Sequence, residues 1–228
     1  MDVAVRSAIG ASHLRALEAR SLAELQVGAR RITEPAGAVL HREGEVAPQV
    51  DLVLSGLVRV FVTGPDGRRR TVRYARRGAL LGLLALFAAG FRAPATTQAV
   101  VASDLLALRP SVVTAVTDND ARVANALLRE QNDEAVSFIA EVAGTGRASM
   151  RQKVARHVLD LAADGQHSSE LLAPIGHQAL ADALGSVPDV VMPILHELRE
   201  QGVVKPAREG IAVTNPDGLA VIGWSAGS

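Results

Sequence analysis

The stretch from Pro174 to Val213, PIGHQALADALGSVPDVVMPILHELREQGVVKPAREGIAV, limits the folds open to this chain more than any other. Leu180, Ala181 and Leu184 share one side of a short helix. Val191, Ile194, Leu195 and Leu198 recur at the i, i+3, i+4, i+7 spacing of a second amphipathic helix. Gly185 falls between them, where the chain must turn sharply. Ser186 is placed to cap the second helix, with Asp189 three residues on in a capping-box-like pattern. The pattern is a helix-turn-helix. From Val203 to Val213 it changes to strand, turn (Ala207 to Gly210) and strand, which makes a wing.

The rest of the chain supplies a different kind of domain. Residues 11–30 are helical in period through Leu14, Leu17, Leu22 and Leu25, with Ser12 and Ser21 as caps of two short helices. From Arg31 to Leu108, short apolar alternations (Val50, Leu52, Leu54; Val58, Val60, Val62) are cut by recurrent glycines, as in a β-barrel or roll. Gly64-Pro65-Asp66-Gly67 has the residues a type I turn prefers and closes a hairpin. That hairpin carries an arginine run, Arg68 to Arg70 with Arg73, Arg76 and Arg77, readable as a solvated face or as a patch for nucleic acid or membrane.

Residues 111–144 read as one long helix, with Asp118, Asn119 and Asp120 at its cap and first turn. Ala121, Ala124, Leu128, Gln131, Ala135, Phe138 and Val142 alternate at spacings of three and four, an a/d seam for a second helix. At about 25 residues such a helix spans about 38 Å. The seam is read as a dimer interface, the alternative being that it packs on its own roll. Gly144-Thr145-Gly146 ends the helix and makes a natural hinge. Met150, Val154, Val158, Leu159 and Leu161 then form another helix, and a polar break at Asp164 to Glu170 leads back to the helix-turn-helix.

Composition narrows the function. The chain has 228 residues, enough for two modest domains, and no cysteine. That excludes a disulfide framework, a cysteine-ligated iron–sulfur cluster and a thiol switch. No apolar run reaches the ~18 residues of a spanning helix, and MDVAVRSAIGASHL lacks the pattern of a signal peptide, so a cytoplasmic protein without membrane attachment is expected. P-loop, G-x-S-x-G and H-E-x-x-H motifs are absent and the six histidines have no metal-ligand spacing, so neither an enzyme nor a metal site is expected.

The pattern LADALGS...V..IL.EL...G.V resembles the winged helix-turn-helix of the Crp/Fnr transcription regulators. PAGAVLHREGE, DLVLSGLVRVFV and GPDGRRRTVRYARRGALLG resemble their cyclic-nucleotide-binding β-roll, in the same order. The resemblance implies an α+β chain: a roll sensor domain over residues 1–110, a dimerisation helix and hinge over 111–146, and a winged helix-turn-helix domain over 147–228. It also implies a homodimer on a palindromic DNA site, with RNA polymerase or another protein as a further partner.

Both functional positions depart from that family. Its phosphate-binding cassette carries Gly-Glu-Leu and, after a spacer, Arg followed by Ser or Thr and Ala. The Arg pairs with the cyclic phosphate and the Glu accepts from the ribose hydroxyl. Here Gly82 is followed by Leu83 and Leu84, and Arg92 by Ala93 and Pro94; Thr96, Gln131 and Phe138 complete the expected pocket. Without the Glu a buried hydroxyl stays unpaired, at a cost of about 1–3 kcal/mol, so cyclic AMP held in the family's way is not expected. The effector is left unknown, with Arg92 open to another anion or to a plain loop role.

On the winged domain the expected DNA-facing residues are His177, Gln178, Ser186, Pro188, Asp189, Met192, Pro193, His196, Lys205 and Arg208. The positions of Pro188, Asp189 and Pro193 are commonly Arg, Glu and Arg in the family, suited to guanine and cytosine. Residues 147–228 hold 7 Lys and Arg against 9 Asp and Glu, where phosphate neutralisation calls for a basic footprint. Two readings stay open: a regulator with altered readout, or a degenerate member that serves a protein partner or a ligand other than cyclic AMP.

Overall fold

Glycine turns cut the apolar N-terminal half into short strands, and these pair into two sheets. The computed structural model describes residues 2–46, 49–64, 67, 69–86, 92–142, 148–164 and 171–224, so the expected hinge at Gly144 to Gly146 and most of the polar break before the helix-turn-helix lie outside the described residues. The chain divides into two units, Met1–Thr145 and Gly146–Ser228.

The first unit opens with helix α1 (Val3–Gly10), a 3-10 turn (His13–Ala16) and α2 (Ala19–Leu25). Strands β1 (Arg30–Glu34), β2 (Val39–His41), β3 (Val50–Ser55), β4 (Val58–Thr63), β5 (Arg69–Ala75) and β6 (Leu80–Leu81) follow, then a single turn of helix, α3 (Leu83–Leu86), β7 (Thr96–Ala99) and β8 (Ser103–Leu108). One sheet has the order β1-β8-β3-β6 and the other β2-β7-β4-β5, with antiparallel neighbours throughout. Helices α4 (Pro110–Asn119) and α5 (Ala121–Val142) complete the unit.

Strand β3 shows why the roll closes. Val50, Leu52 and Leu54 point into a cluster with Val5, Ile9, Leu25 and Val123 of the helices, while Val53 points into a second cluster with Val58, Val60 and Leu105. A strand buried on both faces forces its one buried polar residue, Asp51, to find partners inside. His41 Nε2 meets it at 2.8 Å, and Gln49 Nε2 donates to it at 3.1 Å. Gly82, at φ 81°, is held to glycine for a second reason: a Cβ there would run into the Gln49 carbonyl.

The helices differ from expectation in three places. α1 buries Val5, Ala8 and Ile9, although its sequence was expected only to lack a signal peptide. Ser21 does not cap α2; that helix starts after Glu18, and the Ser21 hydroxyl donates instead to Asp120 at 2.6 Å. The long helix is two helices. Asp118 and Asn119 close α4, and Asp120 alone turns the chain into α5, accepting from the Arg122 amide at 2.9 Å. The Arg122 guanidinium, the Ser21 hydroxyl and that amide hold the Asp120 carboxyl far below the usual carboxylate range. The 22 residues of α5 span about 33 Å.

The second unit is built on α6 (Met150–Asp164), α7 (His177–Ala183) and α8 (Pro188–Glu200). A sheet of β9 (Leu172–Ala173), β10 (Val204–Ala207) and β11 (Gly210–Val213) has the order β10-β11-β9. Its core joins Val154, Val158 and Leu159 of α6 to Leu180, Val191 and Leu198 of the two-helix motif. A last helix, α9 (Pro216–Trp224), not anticipated from sequence, buries Leu219 and Ala220; the Arg156 guanidinium of α6 lies 5.1 Å over the Trp224 ring.

Candidate nucleic-acid interface and effector pocket

α7 ends as its sequence requires. Gly185 takes φ 62°, its amide donates to the Asp182 carbonyl at 3.1 Å, and the Ser186 amide reaches back to the Ala181 carbonyl at 2.9 Å. That pair of bonds is a Schellman stop. The expected Ser186 cap of α8 is corrected: the N-cap is Val187, whose side chain offers no cap bond. Pro188 causes the shift. It takes the first helical position, where its missing N–H is harmless, and confines the residue before it to extended backbone. Pro193 lies inside α8, which runs unbroken through it.

The exposed face of α8 carries Asp189, Val190, Met192, Pro193 and His196, with Pro188 half-buried at its start. Its imidazole is engaged locally. Arg199 Nη2 donates to His196 Nδ1 at 3.0 Å, and His196 Nε2 is 3.3 Å from Glu200. On α7, Gln178 donates to Asp182 at 2.9 Å. A groove of about 450 Å³ between α8 and the wing brings together His177, Met192, Pro193, His196 and Lys205. Gln178, Ser186, Pro188, Asp189 and Arg208 do not line it; Arg208 sits in the wing turn. Arg199 and Pro206 join the groove without having been anticipated. The helical spacing Met192, His196, Arg199 was the signal for Arg199.

In the first unit a cavity of about 70 Å³ lies between the roll and α5. Of the expected pocket residues Gly82, Leu83, Leu84 and Ala93 line it; Arg92, Thr96, Gln131 and Phe138 do not. Leu83 is buried in the core. Arg92 is exposed, and its guanidinium donates to the Gly44 carbonyl at 2.8 Å. Thr96 accepts from the Glu43 amide at 3.1 Å. The cassette segment Phe87 to Phe91 is outside the described residues.

Other polar groups line the cavity, and sequence reasoning missed them: His41, Gln49, Thr97, Arg73 and Glu134. Arg73 Nη2 lies 3.0 Å from Glu134 Oε1 and donates to the Leu80 carbonyl at 3.1 Å. Gln131 donates to Glu134 Oε2 at 3.0 Å. One turn away, burial pushes the Glu130 carboxyl up against the opposing influence of Arg73, His13 and the Leu80 and His13 amides. The sequence places Arg73 on a hairpin face; only its register opposite Val60 turns it inward.

The a/d stripe of α5 points outward. Leu128 is 66% exposed and Phe138 48%, Ala121 and Ala135 are exposed, and Ala124 and Gln131 are half-buried. The Val142 side chain is outside the described residues. A different face, Val123, Ala126 and Leu127, packs into the core of the roll. Ile139, at 63% exposure, extends the stripe beyond the residues expected from spacing. Among the described residues no cluster of three or more potential ligands suits a metal, and no helix is long and apolar enough to cross a membrane.

Comparison with known proteins fits this geometry. The cyclic nucleotide-binding domain family matches residues 32–120, and the Crp-like helix-turn-helix domain family matches residues 152–222. The transcriptional regulator LdrP of Thermus thermophilus is 30% identical over 196 residues, covering 83% of this chain and 93% of that protein. The chain belongs to the Crp/Fnr family of transcription regulators. The cyclic AMP receptor protein of the same organism is 32% identical over 178 residues, covering 75% of this chain and 77% of the relative. The crystal structure of the Thermus thermophilus catabolite activator protein aligns with TM-score 0.52 and 26% identity, covering 92% of this chain and 97% of that one. As a Crp/Fnr regulator the chain carries its DNA-binding domain in α6 to α9 and its cyclic-nucleotide-binding-like roll in β1 to β8.

Proposed function

We propose that this Crp/Fnr regulator acts in the cytoplasm as a homodimer on palindromic DNA, reads that DNA with an altered contact set, and has lost cyclic AMP binding of the family's kind. The observation that carries the DNA reading is the uncovered face of α8 beside the groove holding Arg199 and Lys205. With proline at both expected arginine positions, bidentate guanine readout is gone there. What remains is Met192 and Pro193 for apolar contact, Asp189 as an acceptor, and Arg199, Lys205 and Arg208 for phosphate. Phosphate contacts position a protein without specifying sequence, so discrimination falls to the apolar contacts and to DNA shape.

The outward stripe of α5, Leu128, Ala135, Phe138 and Ile139, supports the dimer. For the roll, three observations speak against a cyclic nucleotide. Leu83 is buried where the ribose acceptor belongs, Arg92 is spent on Gly44, and about 70 Å³ holds a few waters, whereas ligand pockets run to about 300 Å³ and more.

A second reading, a member that has lost specific DNA binding and serves a protein partner, is favoured by the local bonds of His196 and Gln178, which readout would have to break. Selection from a randomised duplex pool at low and near-physiological salt decides. An enriched palindrome that survives salt supports the regulator. Binding without enrichment that is lost as salt rises supports the second reading.

A further inference from the structure

The cavity between the roll and α5 already holds an ion pair where a sensor domain needs free charge. Among the described residues Arg73 is the one arginine or lysine on its wall. Its Nη2 faces Glu134 Oε1 at 3.0 Å, and Gln131 fixes the other oxygen of that carboxylate at 3.0 Å. Arg73 and Glu134 are 17% and 22% exposed, so water screens the pair little. The imidazole on the wall, His41, is bonded to the fully buried Asp51. The cavity is thus charge-balanced by the chain itself.

We propose that the Glu134 carboxylate is an internal ligand of the roll: it occupies Arg73 and docks α5 on β5 with no effector bound. The inference rests on the reading that cyclic AMP is not bound in the family's way. Glu134 and Gln131 are on α5, and Arg73 is on β5. The bond therefore joins the roll to the helix that presents the outward stripe. An external anion would have to displace a tethered carboxylate, whose effective concentration is high. The latent specificity of the site is for a small monocarboxylate, because that is the chemistry of its occupant.

The test uses the full chain with Glu134→Ala, in acetate against chloride at equal ionic strength. Acetate replaces the Cγ, Cδ, Oε1 and Oε2 that the truncation removes, and can meet both Arg73 and Gln131. The expected result is that E134A melts below the unsubstituted chain and acetate raises it saturably. The unsubstituted chain should stay where chloride leaves it, with an acetate response at least about tenfold weaker. Adding Arg73→Ala to E134A should abolish the response. Equal acetate responses in all three proteins, or none in E134A, would overturn the proposal. If E134A does not fold in chloride, recovery from urea gives the same answer: recovery that depends on acetate supports it, and equal recovery in both salts overturns it. Cyclic AMP added to the unsubstituted chain separates the two ideas. A saturable stabilisation defeats the reading on which this one rests, whereas indifference to cyclic AMP with no acetate rescue of E134A defeats only the internal ligand.

Discussion

Pro193→Ala should make the winged unit more stable, and the size of the gain follows from where the proline sits. Pro193 is the sixth residue of α8, past the first turn, so its N–H would have bonded the Asp189 carbonyl. The ring takes the place of that hydrogen and crowds the same carbonyl. An interior proline costs about 3 kcal/mol relative to alanine. Against this stands what the exposed ring contributes to the groove wall beside Met192, about 1 kcal/mol if a few methylenes are partly covered. The net expectation is a gain of about 2 kcal/mol, or about 10 °C in a domain of this size. Trp224, the one tryptophan of the chain, packs with Arg156 of α6 inside this unit, so its fluorescence reports the transition. Pro188→Ala is the internal control. At the first helical position proline costs little, and that substitution should change stability by no more than about 0.5 kcal/mol. A Pro193→Ala protein no more stable than the original, with Pro188→Ala equally neutral, would refute the reasoning and mean that the ring's contacts in the groove outweigh the backbone defect.

Pro188→Arg with Pro193→Arg should raise affinity for duplexes with guanine at the facing positions by about thirtyfold or more, at 1–3 kcal/mol for each of the two recovered base contacts, measured by titration at fixed salt. No gain on any sequence would mean that these positions do not face the bases. Leu128→Asp with Ile139→Asp places charge in the middle of the outward stripe and should convert a dimer to a monomer in sedimentation; an unchanged mass would remove α5 from the interface. Glu130→Gln tests the buried carboxyl. Burial raises its folded value above the unfolded one, so its charged form opposes folding above that value, and the opposition fades as pH falls through it. The unsubstituted chain should therefore gain stability relative to Glu130→Gln as pH falls from neutral through the raised carboxyl's range in urea titrations, and a difference of the opposite slope would show that the bonds from the Leu80 and His13 amides dominate.

The layout of both units was legible because it rests on period and punctuation. Leu180, Val191 and Leu198 fall at helical spacing and are the residues that bury, and Gly185 turns where only a positive φ lets α7 stop in a Schellman bond. The sites were less legible, because a site depends on which strand residue faces which helix. Arg73 lies within a run of arginines that reads as solvent-facing, and nothing local separates it from Arg76 or Arg77. Only the pairing of β5 with β4, with a register shift at Val60, aims it at Glu134, distant in sequence. Arg92 shows the converse. Its place in the sequence fits a phosphate ligand, yet the bridge of Arg92 with Val46 sets it at the rim, with its guanidinium on the Gly44 carbonyl. Ser186 failed as a cap for a purely local reason: Pro188 fixed the first turn of α8 one residue later.

The two departures from the family share a physical form. On α8 and α7 two of the groups proposed to face DNA are bonded inside the chain, His196 to Arg199 and Gln178 to Asp182. In the roll Arg73 is bonded to Glu134 and His41 to Asp51. On both surfaces these polar groups have partners within the chain. Binding at either must break a bond worth about 1 kcal/mol before it can form another. A polar readout that exchanges one hydrogen bond for another gains little, whereas apolar and backbone contacts carry no such exchange. Sequence preference, if the selection recovers one, should therefore follow thymine methyl groups and the flexibility of the duplex at Met192 and Pro193. It should persist when His196 is replaced by alanine. A site whose preference collapses with His196→Ala would show that the imidazole leaves Arg199 to read a base, and would return this chain to direct polar readout.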